Sequence, residues 1–409
     1  MRKTPFFPRM SQLCKSMNWK EWAGYHAVSS YQVLHDSEYF AFRNSAGLLD
    51  VTPLFKYHVH GKDAESYLSQ IMVKDITKLG VGRVSYLCWC THEGKVVDDG
   101  TVMRRGKEDF FVTSADPCFS WFSRFLRGYD VGLEDVSEQI GGLALQGPTS
   151  RDILRQICDA NLDELRFFGT TKARADGFDL WISRTGYTGD LGYEIWVENQ
   201  HALRLWDALI AAGRPYALRP AGLNALDVCR VEAGLILKNV DYYNALHVII
   251  PARQSSPYEL SLGWTVNLDR APFNGRVALA REKQAGSQWA IVGLDLDWPE
   301  IEALHAQHSL PPEIGNTAWR TSIPIYSDRS RKKQIGYATS GTWSPILKKN
   351  IALATITSGY HKPGMKVQIE LTVEHRRYTV TATVHKPQFF DPERKRSNPG
   401  QPNRKKKEA

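Results

Sequence analysis

The chain has 409 residues, of which 42% are hydrophobic, 23% charged and 11% aromatic, a globular composition long enough for two or three domains. No run of about 18 apolar residues occurs, and Met1-Arg2-Lys3-Thr4-Pro5-Phe6 leads into no signal-type apolar stretch. No membrane span is expected, and the cytoplasm is the expected location. The net charge of +8 is concentrated at the end, where Asp391 to Ala409 carries seven Lys and Arg against three acids. That tail is rich in proline and nearly devoid of apolar residues, so 391–409 is expected to be disordered, a solubilising terminus rather than a nucleic-acid or lipid contact. Of the six cysteines only Cys88 and Cys90 are close in sequence. No C-x-x-C, second pair or H-x-x-x-H accompanies them, so reduced buried thiols are expected and no metal.

In chain order, a helix is predicted around Ser37–Asn44, followed by alternating apolar residues at Leu48, Leu49, Val51, Tyr57 and Val59. An amphipathic segment after Gly61 has Tyr67, Leu68, Ile71 and Met72 on one face. Strands Val84–Cys90, Lys95–Arg104 and Phe110–Thr113 are separated by turns at His92-Glu93-Gly94 and Gly106–Asp109. A helix over Pro117–Tyr129, a strand over Gly142–Gln146 and a helix over Thr149–Cys158 come next. Strands Phe178–Ser183 and Tyr193–Val197 flank a glycine-rich turn, and helices are predicted over Ala202–Ala212 and Gly222–Ile236.

From about Val292 the pattern changes to strands near Ile335–Ala338, Ile351–Ile356, Val367–Val373 and Tyr378–Val384. These read as a separate all-β domain joined through Leu310-Pro311-Pro312. Strands and helices do not alternate in a βαβ rhythm, so the class is α+β. The expected division is an N-terminal lobe over 1–150 with 220–290 packed on it, a second α+β lobe over 151–219, and the all-β domain over 291–390. No dinucleotide or phosphate-loop glycine pattern occurs in the right context.

Two stretches carry chemistry. In Gly94-Lys95-Val96-Val97-Asp98-Asp99-Gly100-Thr101-Val102, two adjacent aspartates interrupt a β-branched strand, and period-two geometry sends them to opposite faces. If one faces solvent, the other points inward and must find donors or act on a ligand, unless the pair only caps the hairpin end. In Ser183-Arg184-Thr185-Gly186-Tyr187-Thr188-Gly189-Asp190-Leu191-Gly192-Tyr193-Glu194, spaced glycines allow backbone to approach a flat ligand. Tyr187 and Tyr193 offer aromatic faces, and Glu194 offers an acceptor suited to the N–H/NH2 edge of a pterin-like ring. Standing alone, the same loop also reads as an ordinary glycine-rich hairpin turn.

The phrase S-R-T-G-Y-T-G-x-x-G-Y-E resembles the hallmark of the glycine-cleavage T-protein family, which includes aminomethyltransferases and tetrahydrofolate-dependent demethylases. Other landmarks follow in the family's order over about residues 18–390. They include Leu145-Gln146-Gly147-Pro148, Arg230-Val231-Glu232-Ala233-Gly234, Pro257–Trp264 and Thr339–Pro345. The resemblance implies a three-lobed cloverleaf around a central folate channel, a C-terminal β-barrel domain, and tetrahydrofolate as cofactor. By position it implies Asp99 as the catalytic aspartate, with Tyr86, Asp99, Thr113, Tyr187 and Glu194 contacting folate.

Three departures are visible. The family's D-V-S-H-M is here Asp50-Val51-Thr52-Pro53-Leu54, its G-A-R-D is Asn224-Ala225-Leu226-Asp227, and its G-x-D-x-D-E is Lys238–Tyr243. Loss of an arginine at Leu226 removes a fixed charge and five donors. This points to methyl transfer from a small O-, N- or S-methylated donor to N5 of tetrahydrofolate, with Tyr242, Tyr243 or His58 as substrate-side candidates by location alone. The alternatives are a divergent aminomethyltransferase working with a lipoylated H-type protein, and a non-catalytic folate-binding protein. The K-G-C-x-G-Q-E signature of folate-binding iron–sulfur maturation relatives is absent.

Overall fold

Gly94, with φ +75°, closes the hairpin between strands Arg83–Cys90 and Val96–Gly106. In the computed structural model, which describes residues 1–399, this hairpin begins a five-stranded antiparallel sheet. Its order is Arg83–Cys90, Val96–Gly106, Asp109–Ser114, Phe55–His60 and Gly132–Asp135. Helix Ala64–Ile71 lays Tyr67, Leu68 and Ile71 on one face of it, against Trp89, Val97, Val102 and Phe110. The expected helix over Pro117–Tyr129 shrinks to Phe119–Ser123. Aromatic residues are modest helix formers, and here Trp121, Phe122 and Phe125 anchor the segment by packing on the core instead.

A second sheet has the order Thr170–Ala175, Phe178–Ser183, Gly192–Glu198, Ile140–Gln146, Gly47–Asp50 and Arg219–Pro220. The sheets do not divide at residue 150: strands Gly47–Asp50 and Ile140–Gln146 pair with the later strands, and the five-stranded sheet is inserted between them. Helix Ala202–Gly213 covers this sheet with Ala202, Leu205, Trp206 and Leu209, while Ile153 and Leu154 of helix Ser150–Arg155 fill the same core. The two sheets meet through Val84 N–Phe168 O at 2.9 Å and Thr170 N–Gly82 O at 2.9 Å.

The third unit is a closed six-stranded barrel of Trp289–Leu296, Lys349–Thr357, Gln334–Ser344, Ile323–Tyr326, Lys366–Val373 and Arg376–His385. Its first strand precedes Leu310-Pro311-Pro312, so that stretch lies inside the barrel unit, after helix Trp298–Ala306, and does not join it to the rest. The whole is α+β, with helices set against largely antiparallel sheets. No helix among the described residues is long and apolar enough to cross a membrane. All six cysteines are free thiols.

Helix Leu223–Ala233 joins the three units. Gly234 ends it in the left-handed region, φ +68°, where a Cβ would come within 2.4 Å of Pro387. Glu232 is fully buried and accepts from Arg43 Nε (2.9 Å) and Nη2 (2.5 Å), Tyr39 O–H (2.6 Å) and Ser344 O–H (2.6 Å). Arg43 also donates to Thr188 O at 2.8 Å, and Phe389 and Phe390 N–H groups donate to the Glu232 carbonyl. Arg230, equally buried, pairs with Asp227 at 2.8 Å and Asp241 at 2.7 Å and donates to Ser340 of the barrel at 2.8 Å.

The terminal segment is ordered as far as Pro399, contrary to the expectation of disorder from Asp391. Arg394 chelates the buried Asp190 at 2.6 and 2.7 Å, a partner that composition does not reveal, and the Ser397 carbonyl accepts from Arg184 at 2.7 Å. The remainder of that expectation lies outside the described residues. Removing the charge at Glu232 (Glu232→Gln) leaves Arg43 buried without its main partner. Urea unfolding is expected to show a loss of about 3–5 kcal/mol. Arg394→Ala, at a pair open to water on one side, is expected to cost about 1 kcal/mol or less.

Candidate active site

Strand Val96–Gly106 places Asp99 opposite Cys88 and Asp98 opposite Trp89, on opposite faces as the alternation requires. Neither face is open water. Asp98 points into the core side and is fully buried, while the face carrying Asp99 is covered by chain from 236 to 279. That segment is hydrogen-bonded along the lobe through Ala245 N–Val96 O (2.9 Å), Val96 N–Ser255 O (2.8 Å) and Asn267 N–Val73 O (3.0 Å).

Asp99 is half-buried and clasped by two phenols. Tyr86 O–H donates to Oδ2 at 2.7 Å, and Tyr242 O–H donates to Oδ1. The same Tyr242 hydroxyl lies 3.2 Å from Asp98 Oδ1. Asp98 also accepts the N–H groups of Asp99 (2.9 Å) and Asp116 (2.8 Å), so it braces the strand and the loop beside it. Asp116 pairs with Lys238 and accepts from Asn244 Nδ2 at 3.1 Å. Burial, and then the Asp99 charge, push the Asp98 carboxyl well above the usual carboxylate range. Burial raises Asp99 too, against the opposing donors Tyr242 and Tyr86. Burial lowers Lys238, against the pull of the two aspartates. Three carboxyls and one ammonium are therefore held in one small volume, an arrangement that retains a proton near Asp98 and Asp99.

Glu194 stands on strand Gly192–Glu198, half-buried. Its Oε2 accepts from Thr185 O–H at 2.5 Å and Ser183 O–H at 3.5 Å, and Oε1 accepts no hydrogen bond among the described residues. Burial raises its carboxyl. Tyr187 donates its hydroxyl to Ile236 O and leaves its ring half-exposed. Burial pushes the Tyr187 phenol well up, opposed by the charge of Arg230. The ring of Tyr86 stacks on exposed Trp264, with centroids 6.3 Å apart. None of Tyr86, Asp99, Tyr187, Glu194 and Trp264 is fully buried, and together they offer an acceptor, aromatic faces and a fixed carboxylate.

The glycine loop fits for a different reason from the expected one. A Cβ on Gly186 or Gly192 would come within 1.9 or 2.3 Å of the Gln146 side chain, which threads the loop and donates to Thr185 O at 3.1 Å and Tyr193 O at 3.3 Å. The close approach is to the protein's own glutamine. Tyr193 offers no face either: it is fully buried, its hydroxyl accepting from Arg151 Nε at 3.0 Å.

Among the other sequence candidates, Thr113 is buried with its hydroxyl 2.7 Å from that of Thr101, the less buried of the pair. Tyr243 lies under Arg253, 5.7 Å from the guanidinium. His58 lies two strands from Asp99's strand and partners Asp109 and Glu134, so the structure does not bring it to the aspartates. Lys238 and Trp264 were read only as ends of family landmarks, and Asp116 was not singled out. Only Lys238 left a signal, as a lone charge closing the apolar run Leu235-Ile236-Leu237. Leu226 sits partly buried in an apolar cluster, and Arg320, at 2.8 Å, takes the outer oxygen of Asp227.

An acid raised by burial contributes stability below the ordinary carboxylate range and loses it as pH climbs toward the folded pKa. Asp98→Asn removes that dependence. Urea unfolding from about pH 4 to neutral is expected to shift the stability difference steadily in the variant's favour.

Residues 10–270 match the family model described as the GCVT N-terminal domain, and residues 310–391 match the glycine cleavage T-protein C-terminal barrel domain. An aminomethyltransferase of Caldanaerobacter subterraneus subsp. tengcongensis is 35% identical over 338 residues, 81% of this chain and 83% of that one. An aminomethyltransferase of Herpetosiphon aurantiacus is 33% identical over 395 residues, 95% of this chain and 98% of that one. A trimethylamine-oxide aldolase of Ruegeria pomeroyi is 34% identical over 372 residues, 88% of this chain but 43% of that protein. In fold, the chain matches the crystal structure of glycine cleavage system aminomethyltransferase T from Bartonella henselae, with TM-score 0.80 and 23% identity, covering 95% of this chain and 98% of that one. The chain therefore belongs to the glycine-cleavage T-protein family and is an enzyme of its transferase class.

Proposed function

We propose that this enzyme moves a one-carbon unit, a methyl group from a small O-, N- or S-methylated donor, onto N5 of tetrahydrofolate. The observation that carries the reading is the partly exposed Asp99 carboxylate clasped between Tyr86 and Tyr242. The donor set suits the cofactor. Glu194 has a free oxygen for an N–H/NH2 edge, and the rings of Tyr86 and Tyr187 offer faces to a flat heterocycle. Bound there, tetrahydrofolate would supply the nucleophilic nitrogen.

The chain's own residues do the rest. Glu194 orients the cofactor, and Asp99, already fixed by two hydrogen bonds, favours positive charge developing nearby without having to reorganise. Tyr242 touches both aspartates and is placed to pass the retained proton to a departing heteroatom. Leu226, in place of the family's arginine, removes one fixed charge from helix Leu223–Ala233 and packs in an apolar cluster.

A second reading, aminomethyl transfer with a lipoylated H-type protein as partner, is favoured by the aminomethyltransferases that align along nearly the whole chain. Anaerobic calorimetry with tetrahydrofolate and a donor screen followed by mass distinguish the two. Saturable binding is expected, weakened about 10- to 100-fold by Glu194→Ala, as for a lost hydrogen bond to a charged group. Asp99→Asn is expected to bind but to turn over about 100- to 1,000-fold more slowly. Formation of 5-methyltetrahydrofolate supports methyl transfer. Formation of 5,10-methylenetetrahydrofolate from aminomethylated carrier protein instead would decide for the second reading, and absence of binding by folded protein would defeat both.

A further inference from the structure

Strand Phe55–His60 carries His58-Val59-His60, whose period of two puts both imidazoles on one face, with ring centroids 4.6 Å apart. The adjoining edge strand, Gly132–Asp135, pairs in the register His58 opposite Glu134 and His60 opposite Gly132. The Glu134 carboxylate is thereby brought to both rings: Oε2 lies 3.7 Å from His58 Nδ1, and Oε1 lies 3.3 Å from His60 Nε2. One ligand atom from each of the three residues lies within 4.8 Å of the others. A tetrahedral ion with ligands at about 2.0–2.2 Å needs them roughly 3.3–3.6 Å apart. Side-chain rotations of His60 and Glu134, both partly open to water, would close the cluster to that spacing.

Two further features belong to a built site rather than a chance cluster. His58 Nε2 is 3.1 Å from Asp109 Oδ1, and Asp109 is itself held by Arg105 at 2.7 and 3.1 Å. With Nε2–H donating to that carboxylate, Nδ1 presents its lone pair towards Glu134, the orientation by which carboxylates prepare histidine ligands. His60 lies directly over Gly132, where any Cβ would come within 2.4 Å of ring atoms Cε1 and Nε2. A side chain at that position would push the ring off the face. The cluster is open to water, with side-chain exposures of 28%, 42% and 59% for His58, His60 and Glu134, so an ion can enter and keep a water as fourth ligand.

We propose that His58, His60 and Glu134 form a binding site for a first-row divalent cation, Zn2+ by its ligand chemistry, with Asp109 as the positioning residue for His58. The bound ion ties the four-residue edge strand Gly132–Asp135 to the interior of the sheet. It lies apart from the Asp99 cluster and does not rest on the proposed reaction. This reading departs from the expectation of no metal, which weighed the cysteine pair and longer histidine spacings.

The test is a Co2+ titration of the metal-stripped full chain, followed by visible d–d absorption, with Zn2+ competition and thermal unfolding alongside. One equivalent of Co2+ displaced by Zn2+, with a raised unfolding temperature, is expected. His60→Ala and, separately, Glu134→Gln should abolish the band, and both alter exposed side chains whose folding circular dichroism verifies. Asp109→Asn should retain the site with affinity about 10- to 100-fold weaker. No absorption from folded wild-type protein, or a band unchanged in His60→Ala and Glu134→Gln, overturns the site.

Discussion

The buried ion pair between Arg43 and Glu232 is the interaction on which the arrangement of the units rests. Both side chains are almost completely withdrawn from water, a cost recovered only where every donor and acceptor is matched. Here they are matched from all sides. Tyr39 and Arg43 come from one helix, Ser344 from the barrel, the Thr188 carbonyl from the glycine loop, and two backbone N–H groups from the chain leaving the barrel. Displacing the barrel or the glycine loop would strand part of a buried charge. Arg230, two residues earlier on the same helix, binds the barrel and the 237–241 turn in the same way.

That constraint reaches the candidate site directly. The turn fixed by Arg230 and Asp241 leads into Tyr242, whose hydroxyl meets both aspartates, and the loop fixed through Thr188 carries Tyr187 and ends at Glu194. The positions of Tyr242, Tyr187 and Glu194 are thus tied to helix Leu223–Ala233, although no side chain of that helix contacts Asp99 or Glu194 among the described hydrogen bonds. Burial of Asp98 raises its carboxyl, and Lys238 with Asp116 keeps the local charge near balance. A fixed carboxylate beside a retained proton is the pairing expected where positive charge is to be stabilised and a leaving atom protonated.

Local patterning made much of this legible. The turn at Gly94, the opposed faces of Asp98 and Asp99, the strands around the glycine loop and those of the barrel follow from alternation and turn chemistry, which act over a few residues. The order of motifs carried the family. Local signals failed where partners lie far apart: the helix over Pro117–Tyr129 gave way to aromatic packing, and Arg394 looked free because Asp190 is about two hundred residues away.

By itself the sequence marked which residues are equipped for chemistry: the aspartate pair, Tyr86, Tyr187 and Glu194, beside the loss of an arginine at Leu226. Tertiary structure alone decided which of them meet. It covered both faces of the aspartate strand, joined Tyr242 to Asp98 across 144 residues of chain, buried Tyr193, and set His58 beside His60 and Glu134 instead of Asp99. The reason is physical. Side-chain direction along a strand is fixed by backbone geometry, but what lies opposite is fixed by the packing of segments whose separation leaves no trace in local pattern.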